Sequence, residues 1–411
     1  MNTLHDALII GGGPAGATAA RLLSRAGWSV AMVEKTSFPR RKVCGEFISA
    51  TSLPLLSDRG IEDVFSKRAG PRVQRVGLFA GKTVLTSAMP FAARTGWGRA
   101  LGRDHLDSIL LDAAAAAGAD LWQPWKAVGL AHTDRGYRCR IAKEGDEEEL
   151  AARIVIMAKG SWEKSRLDDV TYRTPARFDL LAFKAHFRDS RLPDDLMPLI
   201  VFPGGYGGMV HSDDGRVSLS CCIRRDVLER CRASGEKASD AVLRHILKHC
   251  EGVRAALDGA ETDGAWLSAG PIRPGIRTSS VDGLFFVGNI AGEAHPIVAE
   301  GISMAMQSAW LLCRHLIENE DAFSQESLRE VGRAYRQDWR AAFATRIHAA
   351  AAFAHLAMRK QAAAAAPLLK LFPEVLTFGA KLSGKAKEVV HADPHPLAAN
   401  AARVLPLSGG G

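Results

Sequence analysis

Between Asp6 and Glu34 the sequence leaves few folds open. An apolar run, Asp6–Ile10, leads directly into Gly11-Gly12-Gly13-Pro14-Ala15-Gly16. A stretch of helical character follows over Pro14–Ala26, ended by Gly27, and then a second apolar run over Ser29–Glu34. This reads as strand, turn, helix, strand. The glycines carry the G-x-G-x-x-G spacing at the one place where it has a mechanism. Gly11 allows the tight turn, Gly13 lets backbone approach a diphosphate, and Gly16 permits close packing of helix on strand. The helix N-terminus then offers free N–H groups and a partial positive charge to phosphate. Glu34 closes the unit. Its carboxylate can take both hydroxyls of an adenosine ribose and would repel a 2′-phosphate, which favours FAD or NAD over NADP.

Two further segments choose between those cofactors. Phe38-Pro39-Arg40-Arg41-Lys42-Val43-Cys44-Gly45-Glu46-Phe47-Ile48-Ser49 follows the acid. Far downstream, Asp282-Gly283-Leu284-Phe285-Phe286-Val287-Gly288-Asn289-Ile290-Ala291-Gly292 continues into Glu293-Ala294-His295-Pro296-Ile297-Val298-Ala299-Glu300-Gly301-Ile302-Ser303. With the glycine turn, these resemble the geranylgeranyl reductase branch of the flavoprotein monooxygenase superfamily over roughly residues 1–330. The resemblance implies FAD. It implies that Gly11, Gly13, Pro14, Ala15 and Gly16 cradle the pyrophosphate and that Glu34, with Lys35 beside it, holds the AMP ribose. Cys44, Gly45 and Phe47 would approach the flavin, Arg103 would contact FAD, and Val128 would offer backbone to the adenine. Asn289 would lie near the ribityl chain, and Pro296 along the flavin. Gly301 and Ile302 would offer helix N-terminal N–H groups to the pyrimidine ring, where they stabilise the charge of reduced flavin. An NAD-dependent dehydrogenase has no use for that last segment.

The chain departs from the family pattern at three places. The usual aspartate is Asn289, an expected glycine is Ala299, and the middle Asp-Gly motif reads Ala158-Lys159-Gly160-Ser161. Lys159 reverses the charge in a motif that serves FAD and NAD(P)H together. NAD(P)H as direct donor is therefore left open, and a separate flavin reductase is an alternative source of electrons.

Two chemistries suit such a scaffold. A monooxygenase hydroxylates substrate through a flavin C4a-hydroperoxide; a reductase passes hydride to a carbon–carbon double bond. The aromatic substrate signature of the reductase branch is absent. Val201-Phe202-Pro203-Gly204-Gly205-Tyr206-Gly207-Gly208-Met209 has its Tyr after Phe-Pro and no Trp, which is closer to the hydroxylase side. The Trp-x-Trp-x-Ile segment of halogenases is missing. The preferred reading is a hydroxylase acting on an aromatic, natural-product or protein-borne substrate. Reduction is the second reading, and a non-catalytic flavin-binding partner protein the third. His295 and Glu293 are the candidate acid–base residues, since a histidine titrates near neutrality; a structural role is the alternative for both. Cys44 reads as a small residue against the flavin, or as a reactive thiol if Arg40 and Arg41 lower its pKa.

The remaining chain sets the architecture. An apolar-rich middle with short β patterns at Leu180–Phe187, Met209–His211 and Val217–Cys222 interrupts the nucleotide fold, which resumes with a strand at Leu284–Val287 and a helix over Glu300–Leu316. The expected fold is α/β: a discontinuous Rossmann-like domain over 1-70, 99-172 and 268-325, a β-rich substrate domain over 71-98 and 173-267, and a helical C-terminal region over 326-411. That last region mixes apolar residues with Arg346, Arg359, Lys360, Lys370, Lys381, Lys385 and Lys387. It reads first as a cap on the substrate cavity and second as a peripheral membrane or partner surface. The tail after Pro394 reads as loose. The net charge of +8 comes from scattered residues without aromatic interleaving, so nucleic-acid binding is not expected. Seven cysteines without a CxxC pair, no leader and no transmembrane run suggest a cytoplasmic protein. No metal is expected: His245 and His249, one turn apart, are flanked by Arg244 and Lys248 with no acid between them and read as a solvated basic face, and Cys221 and Cys222 point to opposite faces of a strand.

Overall fold

The structure is a computed structural model, and it describes residues 3–57, 59–92, 95–160, 176–277, 280–319, 321, 323–359 and 361–390. Ser161, Lys360 and the tail after Pro394 lie outside the described residues.

The amino-terminal pattern folds as its periodicity requires. Strand β1 (Leu4–Ile10) runs through the turn into helix α1 (Pro14–Arg25) and on to strand β2 (Val30–Val33). All four residues of β2 are buried, as in a parallel sheet covered on both faces. On one side β1 pairs with β2, which pairs in turn with Asp120–Trp122; on the other it pairs with β3 (Asp146–Met157), which pairs with Leu284–Phe286. These contacts are all parallel. The sheet is thus closed by a strand from nearly 130 residues downstream. Helix α1 packs against α2 (Arg103–Ala116) and α3 (Gly301–Glu318), so the two ends of the nucleotide fold share one core.

The second sheet has seven strands in the order Glu261–Ile272, β4 (Leu180–Arg188), β6 (Val217–Arg224), β5 (Gly205–His211), Leu196–Phe202, Arg75–Ala80 and Thr83–Ala88. Its two faces do different work. Phe79, Phe183, Ile200, Phe202, Leu219 and Cys221 pack outward beneath Val242, Ile246 and Val253 of the covering helices. Their neighbours Leu78, Ala182, Val201, Tyr206 and Cys222 face the opposite way, toward Ala354, Ala357 and Ala366 of the C-terminal region. The period of two therefore splits Cys221 from Cys222, as the sequence requires.

Three strands escape the sequence pattern. Leu196–Phe202 contains Pro198, which argues against a central strand. Glu261–Ile272 is largely exposed, carries Gly264 and Gly270, and is bulged against β4. Lys126–Thr133 is bulged at Val128, between the pairs Ala127–Ile141 and Gly129–Arg140. A two-residue strand, Phe47–Ile48, is followed by a 3-10 turn over Ala50–Leu56 that contains Pro54 and then by a helix over Arg59–Arg68. Beyond α3 the chain is helical. α4 (Gln325–Ala357) starts at Ser324, whose side chain accepts from the Ser327 N–H. A short α/3-10 segment, Ala362–Leu371, and α5 (Glu374–Leu382) follow, bent by 112° at their break. Among the described residues no single helix is long and apolar enough to cross a membrane.

Candidate functional site

A cavity of about 1080 Å³ runs between the two sheets. Its first wall is the glycine turn. Gly11 sits at φ +111°, and a Cβ there would lie 2.7 Å from the Ala158 backbone. A Cβ on Gly16 would lie 1.9 Å from the Gly11 carbonyl oxygen. So Gly16 serves helix–strand packing and does not line the cavity, whereas Gly11, Gly13, Pro14 and Ala15 do. α1 has no side-chain cap and no acidic residue in its first turn, which leaves its N-terminal N–H groups for an anion.

Glu34 is buried and oriented before any ligand arrives. It accepts from Gly12 N–H at 2.8 Å and from Thr36 N–H at 2.9 Å. Each oxygen keeps a lone pair, which is what two ribose hydroxyls need. Lys35 is exposed at the same rim. Of the proposed adenine wall, Trp125, Lys126 and Ala127 line the cavity and Val128 does not. Arg103, at the start of α2, is gripped by Asp107 through two hydrogen bonds of 2.6 and 2.7 Å, and its Nη2 lies over Gly13. Lys42 joins it on the cavity wall. Burial, then the charges of Arg103 and Arg40, push its ammonium down to about 8. Sequence reading passed over Lys42. Its place in the Arg40-Arg41-Lys42 run was visible, but not that the run turns inward.

Cys44, Gly45 and Phe47 line the next stretch of wall. Behind them lies a buried charge cluster that the sequence did not reveal. Glu46 stands at φ +64° and accepts from Lys184 Nζ and, at 2.8 Å, from His186 Nε2. Arg41 donates to His186 Nδ1 at 3.0 Å. A guanidinium only donates, so the imidazole proton sits on Nε2, facing Glu46. Burial by itself would raise the Glu46 carboxyl, but Lys184 and the His186 hydrogen bond outweigh it and hold it far below the usual range. All three side chains are essentially inaccessible, and both partners of Glu46, the Lys184 ammonium and the His186 N–H, come from β4. The cluster pins the Cys44–Phe47 turn to the second sheet.

The opposite wall is the late turn. Asn289, Glu293, His295, Pro296, Gly301 and Ile302 all line the cavity. Asn289 donates to Glu293 Oε1 at 3.2 Å, and Arg277 donates to the Asn289 carbonyl at 2.6 Å while lying 3.7 Å from Glu293. The amide thus takes a partner that an aspartate in its place would repel. Ala299 occupies the left-handed region at φ 52°, ψ 42°, which explains why the pattern asks for glycine there. α3 begins with neither a side-chain cap nor an acid in its first turn. Lys385 ties this turn to the C-terminal region: its Nζ donates to Val298 O at 2.8 Å and Glu300 Oε1 at 2.9 Å, and it lies over the Phe47 ring.

His295 has a partner that sequence reading did not assign. Its Nδ1 shares a 3.1 Å hydrogen bond with Tyr206 Oη, from the inner face of β5. Burial, and the nearby His355, push His295 down to about 4. Burial raises the Tyr206 hydroxyl well above its ordinary value. Both are neutral across the physiological range. The signal available in sequence was the Gly204-Gly205-Tyr206 turn, with Gly204 at φ +75°.

Among the described residues Asp104, His105 and Asp213 come together, but Asp213 is already bound by Arg216, the Gly102 N–H and Ser212. His245 and His249 bond to the carbonyls of Pro203 and His245.

Residues 5–346 match a family described as the FAD binding domain. The chain is 25% identical over 331 residues to digeranylgeranylglycerophospholipid reductase 1 of Methanothermobacter thermautotrophicus, covering 76% of each protein. It is 24% identical over 340 residues to rifampicin monooxygenase of Streptomyces venezuelae, covering 81% of this chain and 68% of that protein. The fold is similar to that of the flavin-dependent brominase Bmp2, with a TM-score of 0.70 at 17% identity over 97% of this chain and 98% of that one.

Proposed function

Because the chain belongs to the FAD binding domain family and is an FAD-dependent oxidoreductase, we propose that it is a monooxygenase hydroxylating an apolar, aromatic substrate. The carrying observation is the composition of the cavity beyond the cofactor cradle. Leu78, Ala182, Leu199, Val201, Met209 and Ile272 line it, and the polar groups among them are few: Ser220, Cys222 and the neutral Tyr206–His295 pair, with Glu293 beside them in the late turn. Such a chamber keeps water from the reacting flavin, which oxygen chemistry needs if reducing power is not to leak into peroxide. FAD, when bound, supplies the two electrons. The protein supplies a dry pocket and orientation.

The glycine turn, Arg103 and Lys42 would hold the diphosphate, Glu34 the ribose, and the first turn of α3 the pyrimidine edge. His295, uncharged, can accept a hydrogen bond from a substrate hydroxyl, and Tyr206 orients it. The balance is one oxygen atom into a substrate C–H bond, the second released as water with two electrons and two protons.

A second reading, reduction of a carbon–carbon double bond, is favoured by one feature: Tyr206 stays protonated and could deliver the proton that accompanies a hydride. Turnover under ¹⁸O₂ with photoreduced FAD and a long-chain phenol separates the two. The hydroxylase reading expects one labelled oxygen in the product. An unlabelled, saturated product formed from an olefinic lipid without air would replace it by the reductase reading.

A further inference from the structure

Exposed apolar side chains are normally scattered over a surface. Here they are not. Twelve large hydrophobic residues are exposed among the described residues, and nine of them sit at or beside one end of the molecule: Val84, Phe91, Leu356, Leu368, Leu371, Phe372, Val375, Phe378 and Leu382. Leu371, Phe372 and Phe378 are 71, 63 and 60% exposed. The strand of Val84 and the loop of Phe91 reach this end because Thr377 donates to Ala88 O and bonds Ser87.

The patch is continuous with the cavity. Leu356, Leu368 and Val375 are exposed and also line it, while Leu369, Leu376 and Ala380 from the same helices line it further in. So the helices both cap the chamber and present its rim. Around the patch basic residues outnumber acidic ones. Arg359, Lys370 and Lys381 are exposed, and Glu374 is the one carboxylate between positions 356 and 382.

We propose that this end of the molecule docks onto a bilayer containing anionic lipid, with the Ala362–Leu371 segment and α5 lying in the membrane interface and the cavity opening toward the acyl chains. Neither helix approaches the about 20 residues needed to span, but a bent pair with apolar and basic faces suits the interface. Exposed lysines beside it would gain from an anionic headgroup layer. A second copy of the chain fits less well, because a two-fold interface across this patch would set Lys370 and Lys381 against their own counterparts. The inference goes beyond the reaction proposed above; vesicle binding and oxygen incorporation are independent readouts, so either can fail alone.

The test is vesicle flotation of the full FAD-loaded chain. One set of vesicles is phosphatidylcholine alone, and the other contains about one third phosphatidylglycerol, at low and at about 0.5 M salt. The wild type should float with the anionic vesicles and less so at high salt. Phe372→Ser with Phe378→Ser should cut the bound fraction at least about tenfold. Lys370→Glu with Lys381→Glu should remove the preference for anionic lipid. A retained flavin absorption spectrum shows that each variant is folded, and the charge variant stands if the serine pair is not. The proposal is overturned if the wild type floats with neither vesicle or if both variants float as it does. It is also overturned if sedimentation shows a dimer that the serine pair dissolves.

Discussion

The two walls of the cavity are built on different principles. On the cofactor wall, backbone does most of the work. Gly11 and Gly16 stand where any side chain would strike main chain at 2.7 and 1.9 Å, and Glu34 is held by two backbone N–H groups. On the wall formed by the second sheet and the C-terminal helices, side chains do the work, and they are ordinary ones: Leu78, Val201, Leu369 and Leu376, with Tyr206 as a polar point among them. The first wall tolerates almost no substitution because its ligand contacts have no substitute. The second can exchange apolar residues freely, because burial of area is not directional.

This contrast can be broken most forcefully at Gly16. Gly16→Val should abolish FAD retention, read as the ratio of flavin to protein absorbance after purification, because the side chain would separate α1 from the turn. A substitution of similar bulk on the other wall, Ala182→Val, should leave that ratio unchanged. Next in size is Tyr206→Phe, for which turnover should fall by about 10²-fold while FAD affinity, measured by fluorescence titration, stays the same. A fall in FAD affinity instead would place Tyr206 with the cofactor wall. Glu34→Gln keeps one acceptor and loses the charge, and it should weaken FAD binding by about tenfold without altering turnover of the flavin-saturated protein.

A pH effect should follow from His295. Its value falls from 6.5 in the unfolded chain to about 4 in the fold. Between those values the unfolded chain binds more protons, so stability rises with pH through that window and is lost as pH falls from about 6.5 to about 4. Denaturant titrations at both ends of the window, with wild type and His295→Gln, should show the variant losing less on acidification. The smallest effect is expected at Ala299→Gly. Relief of the left-handed conformation should raise stability by no more than about 1 kcal/mol, since glycine also gains freedom in the unfolded chain.

Legibility in the sequence followed the same division. The glycine turn and Glu34 were readable because each answers a backbone or charge requirement at fixed spacing; Arg103, the first turn of α3 and the misfit at Ala299 came from the family resemblance. Val128 was placed on the cavity by resemblance, but a bulge in its strand puts Ala127 there instead. The Glu46–Lys184–His186 cluster joins the Cys44–Phe47 turn to β4 about 140 positions away, and no local pattern announces a long-range ion pair. Tyr206 and His295 were each noticed separately. Only the fold sets them 3.1 Å apart. Glu293, offered as an acid or base, is engaged by Asn289 and Arg277 and fits a positioning role for the late turn.

The claim on which all of this rests is that one cavity receives a full dinucleotide, with its adenosine end at Glu34 and its flavin end at α3. Equilibrium dialysis of folded, flavin-free protein against FAD and FMN tests it directly. The account expects one FAD per chain and FMN at least about 10²-fold weaker, because FMN cannot reach Glu34. Equal affinity for the two, or folded protein that takes up neither, would contradict it.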